Sequence, residues 1–120
     1  MQIFEVVELK EFPFMETKEI IQEHIIGDIL NENNLAKVYL LVDHETMRIW
    51  KYNCPNSSLK VQNYGEILAG MLRGQLRLFY RIYSLNIYSR DDPEFQEVLE
   101  KPIRGGRAKT IEKRDFLNNI

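Results

Sequence analysis

The chain has 120 residues, 44% of them hydrophobic and 28% charged, with 16 Lys and Arg against 18 Asp and Glu and a net charge of −2. This length fits one domain with its own core, and the mildly acidic balance argues against a dedicated nucleic-acid binder, which is usually basic overall. A single cysteine, Cys54, excludes an internal disulfide, and no apolar run approaches the ~20 residues that cross a bilayer. Gln2 to Leu9 predicts a strand, broken by Phe12, Pro13 and Phe14. Thr17 is placed to cap a helix running to about Leu30, with Ile20, Ile21, Ile25, Ile26, Ile29 and Leu30 spread over more than half its circumference. Because β-branched Ile is a middling helix former, a partly extended conformation of 17–30 stays open. Asn31 to Asn34 reads as a loop.

Ala36 to Trp50, AKVYLLVDHETMRIW, carries the strongest local signal. A β-rich run, Lys37 to Val42, is followed by the turn residues Asp43, His44 and Glu45. Thr46 to Lys51 then sets Arg48 outward and Met47, Ile49 and Trp50 inward, so the pair reads as a β-hairpin. Asn53 to Ser58 is turn-rich, and Ser57 or Ser58 can cap a helix to about Gly74. On that helix Val61, Tyr64, Ile67, Leu68, Met71 and Leu72 form the expected buried stripe, with Gln62, Glu66, Ala69 and Arg73 opposite. Leu76 to Tyr88 is apolar on both parities and is expected to thread the middle of a sheet. Asp92 caps a short helix with Pro93 at its first position, docked by Phe95, Val98 and Leu99. From residue 103 to 120 the chain reads as a flexible basic tail containing Arg104, Arg107, Lys109, Lys113 and Arg114, a candidate arm for acidic surfaces.

No catalytic constellation stands out. His24 and His44 are not in metal-ligand spacing with Cys54, Gly105–Gly106 lacks the Lys-Ser/Thr of a phosphate loop, and Asp91–Asp92 sit where a helix dipole favours acids. The expectation is therefore no enzyme, no metal and no cofactor. Glu5 and Glu8 stand where a signal peptide carries basic residues, so a cytoplasmic protein is expected. Trp50, at a strand end, is a candidate partner anchor, with core closure as the plainer reading.

Four blocks, in order, resemble the gelsolin/villin repeat. QIFEVVEL is similar to its first strand (xLFxV), and AKVYLLVDHETMRIW to its hairpin (GDxFILDxGxxIxxW), ungapped through Trp50. NYGEILAGML is similar to its long helix (YxxARLAxxL), and YRIYSLNIYSRDDPEFQEVL to its last strand and acidic turn (DEPEEFxxLL). The resemblance covers Gln2 to Pro102, leaving 1–102 as the gelsolin-like domain. It implies an α+β fold: a central mixed sheet of about five strands, with the long helix on one face and the short helix on the other. It also implies a non-enzymatic binding module, typically for actin, whose long helix lies in a cleft between actin subdomains. Gln62, Asn63, Glu66, Gly70 and Arg73 would form the contact face, regulating an actin-type cytoskeleton through monomers or filament sides.

Three departures qualify the implication. The family's calcium site draws on the Asp of the Gly-Asp pair and a Glu early in the long helix; here those places hold Ala36–Lys37 and fall near Gly65, so a calcium-independent module is expected. The link from Phe12 to Asn34 is longer than usual and has room for an added helix. The exposed helix face carries Gln62, Glu66 and Arg73, where actin-binding repeats tend to offer apolar groups. The alternative function is a protein–protein scaffold in a vesicle-coat or roadblock/longin-like GTPase-adaptor complex.

Overall fold

The computed structural model describes residues 1–22, 24–31, 36–77 and 79–117. A five-stranded mixed sheet runs in the order β2-β1-β3-β4-β5, with β1 Gln2–Glu8, β2 Met15–Glu19, β3 Val38–Asp43, β4 Arg48–Asn53 and β5 Arg81–Leu85. The first three pairings are antiparallel and β4–β5 is parallel. A parallel pair needs a long crossover, which the helix α2, Leu59–Leu76, provides. Among the described residues there are also the short α-helices α1 Ile26–Ile29, α3 Pro93–Leu99 and α4 Lys113–Leu117, with a 3-10 turn, Ile87–Asp91, ahead of α3.

Strand alternation divides the core into two layers. Val38, Leu40 and Val42 of β3 pack with Ile49, Leu68, Ala69 and Leu72 under α2. Tyr39 and Leu41 face the other way, with Trp50, Tyr52, Phe95 and Val98 under α3. The expected α+β architecture, sheet between a long and a short helix, is what the chain adopts. The turns and caps follow from local chemistry. Asp43 Oδ1 accepts from the amides of Glu45 and Thr46 at 3.0 and 3.4 Å, folding the hairpin turn. Ser58 Oγ accepts from Val61 N at 3.1 Å at the start of α2, and Asp92 Oδ1 from Glu94 N at 2.9 Å at the start of α3.

Several expectations are overturned. The helix anticipated from Thr17 to Leu30 is instead β2 followed by the single turn α1. Thr17 caps nothing; its Oγ1 accepts from Ile111 N at 2.7 Å while its own amide donates to Ile111 O. The long link thus supplies an edge strand, Met15 and Thr17 inward, rather than an added helix through Thr17. Met47 sits in the hairpin turn at φ 54° and is exposed rather than inward.

Leu76–Tyr88 does not thread the middle of the sheet. Leu76 closes α2, and β5 lies at the rim, paired only with β4. Its double-sided apolar character arises because both sheet faces are covered to the edge. Ile82 joins the α2 layer while Tyr83 and Leu85 join the α3 layer, and Tyr80, ahead of the strand, folds beneath α2.

The segment after Pro102 is not a solvated arm over its described length. Ile103, Ala108 and Ile111 are buried, and Gln75 of α2 exchanges two hydrogen bonds with the Lys109 backbone at 2.8 and 2.9 Å. Three widely spaced small or aliphatic residues, Ile103, Ala108 and Ile111, dock this strap; of the basic residues between them, Arg104 and Lys109 are exposed and Arg107 reaches Tyr80.

Candidate functional site

The candidate site is the outward face of α2. How the helix seats on the sheet decides which residues reach that face. Gly65 is the point of closest approach: a Cβ there would lie 2.8 Å from Val38 Cγ1 and 3.3 Å from Lys51 Cδ. With the helix axis this close at Gly65, Leu68, Ala69 and Leu72 turn inward. Ile67, expected in the buried stripe, is instead 48% exposed, while Ala69, expected outside, is fully buried.

The outward face therefore carries Asn63, Glu66, Ile67, Gly70, Arg73 and Gly74, all exposed. Leu59 stands at its N-terminal end, 77% exposed. Four of the expected contact residues, Asn63, Glu66, Gly70 and Arg73, are thus brought together. Gln62 is half-buried and its amide Nε2 donates to Ser57 O and Oγ at 3.1 and 3.2 Å, so it braces the start of the helix. Trp50 is almost wholly covered: it is 5% exposed, its ring tilted 30° against Tyr83 with centroids 5.0 Å apart, and the Arg48 guanidinium lies over it. It closes the α3 layer and offers no anchor to a partner.

Beside this face a groove of about 500 Å³ runs between α2 and the strap, lined by Ile67, Gly70, Met71, Gly74, Gln75, Ile111 and Asp115. Nothing lies within 4 Å of where a Cβ at Gly70 or Gly74 would stand, so the groove floor is bare backbone. Sequence reasoning missed Leu59, Ile67 and Gly74. The usable signal was Gly65, whose missing side chain marks the contact line and so fixes the rotation of the helix.

Glu66 has a second duty. Its Oε2 accepts from Lys51 Nζ at 2.9 Å, and Lys51 is a buried ammonium on β4. A lysine stem can lie along apolar surface only if its head reaches a counter-ion or water. Glu66 supplies that partner from the rim of the outward face.

Where the gelsolin resemblance would place calcium, the donor set does not suit that ion. Lys37 holds an ammonium there, paired with Glu5, and Gly65 has no side chain to offer. Calcium takes six to eight oxygen ligands, and the nearest side chain to the Gly65 Cβ position after Val38 is the cationic Lys51. Among the described residues no group of three or more His, Cys, Asp or Glu is arranged to hold a metal ion.

The five basic residues after Pro102 do not form one surface. Arg107 turns inward to donate to Tyr80 Oη at 2.5 Å. Arg104 lines a cavity with Met1 and Lys101, Lys109 lies beside Gln75, and Lys113 and Arg114 are on α4, with Arg114 near Glu112 and Asp115. Among the described residues no helix is long and apolar enough to cross a membrane.

No family model and no curated protein sequence matches the chain. Solved structures do. Thorarchaeota ProGel, crystallised with rabbit actin, superposes with a TM-score of 0.61 at 18% identity, over 82% of this chain and 97% of that one. Thorarchaeota 2DGel3, also crystallised with rabbit actin, gives 0.53 at 20% identity over 82% of this chain; the match spans 44% of that chain. Both are gelsolin-domain proteins, and the fold of this chain is gelsolin-like. A rim position for the last strand is thus compatible with that fold.

Proposed function

We propose that this gelsolin-like domain is a non-enzymatic, calcium-independent actin-binding module that acts in the cytoplasm on actin monomers or filament sides through the outward face of α2. The observation that carries the reading is the exposed Ile67, set beside the bare backbone of Gly70 and Gly74. An aliphatic side chain flanked by glycines lets a helix approach a partner closely and bury apolar area against it. The polar face anticipated for this helix is therefore apolar at its centre. The match over nearly the full length of ProGel, a protein crystallised with actin, supports the same partner.

Asn63, Arg73 and Leu59 would flank the contact, with Glu66 shared between the partner and Lys51. The roadblock/longin alternative calls for hairpin strands after β5; α3 and α4 stand there instead. The test is actin polymerisation and filament co-sedimentation with the purified chain, in calcium and in chelator. Equal effects in both conditions are expected. No effect on either assay at tens of micromolar protein would remove the proposal.

A further inference from the structure

The strap is tied to the end of the sheet by a polar chain whose hydrogen-bond directions are fully determined. Ala108 N donates to Gln2 Oε1 at 3.0 Å, and Gln2 Nε2 donates to Ala108 O at 2.9 Å. These two backbone partners fix the orientation of the buried Gln2 amide. Gln2 Oε1 also lies 2.6 Å from His44 Nε2. An oxygen with no proton to give requires the proton to sit on Nε2. Neutral His44 is then an acceptor at Nδ1, and Tyr80 Oη, 2.6 Å away, donates to it. The Tyr80 oxygen accepts in turn from Arg107. Gly106 passes against the imidazole so closely that a Cβ would stand 2.7 Å from Nε2.

Among the described residues, a second proton on His44 would find only the Tyr80 oxygen, which already accepts from Arg107. An Nδ1–H would confront the Tyr80 hydroxyl and displace its proton, with the Arg107 guanidinium on the far side of the same oxygen. The charged groups around the ring are unequal. Arg107 from the strap and the terminal amino group ahead of β1 oppose a positive imidazole, and Asp43 at the end of β3 favours it. Glu19 on β2 reaches the cluster only through Gln2 Nε2, at 3.1 Å.

We propose that His44 is a proton-operated latch: its protonation releases residues 104–112 from the sheet end and so removes one wall of the α2 groove. The wall lies on the same short segment as the latch: Ile111, three residues past Ala108, lines the groove, and Lys109 and Ile111 are its further ties to Gln75 and Thr17, which the release must also loosen. Burial, then Arg107, then the terminal amino group hold the His44 pKa below its usual 6.5, against Asp43. In the released form the solvated ring titrates near its ordinary value. The released form therefore binds more protons in the window between the two values. The latch is at full strength above about pH 6.5 and weakens as pH falls from there toward the latched value, by at most about tenfold per pH unit. The effect on a partner at α2 rests on the actin reading; the latch does not.

Amide hydrogen exchange on the full chain without actin tests it. Rates at Ala108, Lys109 and Ile111, corrected for intrinsic exchange at each pH, are compared with Leu40 of the central strand between pH 7.5 and 5. Protection at the three strap amides should fall several-fold with Leu40 unchanged, and His44→Gln, which keeps a donor for Gln2 but does not titrate, should flatten the response. Tyr80→Phe, which removes the conflict at Nδ1, should make the pH response shallower even if the strap is looser throughout. A pH response shared by Leu40, or one retained in His44→Gln, would overturn the latch and leave the actin reading untouched. A latch that opens without altering actin affinity between pH 7.5 and 6 would overturn only the groove-wall consequence.

Discussion

Replacing Gly65 with Ala sets two effects against each other. Inside a helix Ala is favoured over Gly by about 1 kcal/mol. Against this, the new Cβ would meet Val38 Cγ1 at 2.8 Å and Lys51 Cδ at 3.3 Å. The lysine stem can yield, but Val38 is fully buried on the central strand, and its β-branched side chain is stiff at χ1. The helix must therefore lift by several tenths of an ångström. Overpacking of this kind costs about 1–3 kcal/mol, and lifting also stretches the Lys51–Glu66 ion pair. The clash outweighs the propensity gain, giving a net loss of about 1 kcal/mol, or roughly 2–6 °C in Tm for a chain of this size. Gly70→Ala and Gly74→Ala meet nothing within 4 Å and should stabilise by about 0.5–1 kcal/mol. Thermal and urea unfolding of the three variants give the comparison. A Gly65→Ala protein stabilised as much as the other two would refute the seating of α2 and with it the outward rotation of Ile67.

Other outcomes follow from the same geometry. Glu66→Gln strips the counter-ion from Lys51 and should cost about 1–2 kcal/mol, less than a fully buried pair because the Glu66 side chain is 56% exposed; Lys51→Met, which removes the buried charge itself, should stay within about 1 kcal/mol of the parent by urea unfolding. Ile111→Ala should cost about 2–4 kcal/mol, because Ile111 is buried under the α2 layer; a solvated tail would show no loss. Millimolar calcium should leave Tm unchanged relative to chelator, since a native-state ligand raises stability in proportion to its binding, and a rise of several degrees would contradict the misfit at Lys37 and Gly65.

What was legible in the sequence was local. The hairpin announced itself through alternating residues about Asp43, whose carboxylate folds the turn. Ser58 and Asp92 marked the starts of α2 and α3, because a cap's chemistry is contained within three residues. What escaped was non-local. β2 holds only Met15 and Thr17 inward, too weak a pattern to compete with the isoleucines that follow. The rim position of β5 depends on how a crossover helix returns the chain, and its apolar parities report covered faces rather than a central place. The strap docks through Ile103, Ala108 and Ile111, spaced too widely to form any period. In the candidate site, Glu66 and Arg73 were read from the helix wheel, while Asn63 and Gly70 came with the contact face that the gelsolin resemblance implied. Ile67 was misplaced because an ideal wheel cannot show the rotation that a glycine contact imposes.

The measurement that tests the central claim most directly is the affinity for actin of the parent chain and of Ile67→Asp, with Tm recorded for both. Ile67 is 48% exposed, so the variant should fold with little change in Tm. Losing its apolar contact and desolvating a carboxylate should weaken actin binding by about 2 kcal/mol or more, at least tenfold. Equal affinity for the two proteins, with the parent bound, would contradict the assignment of the outward face of α2 as the site.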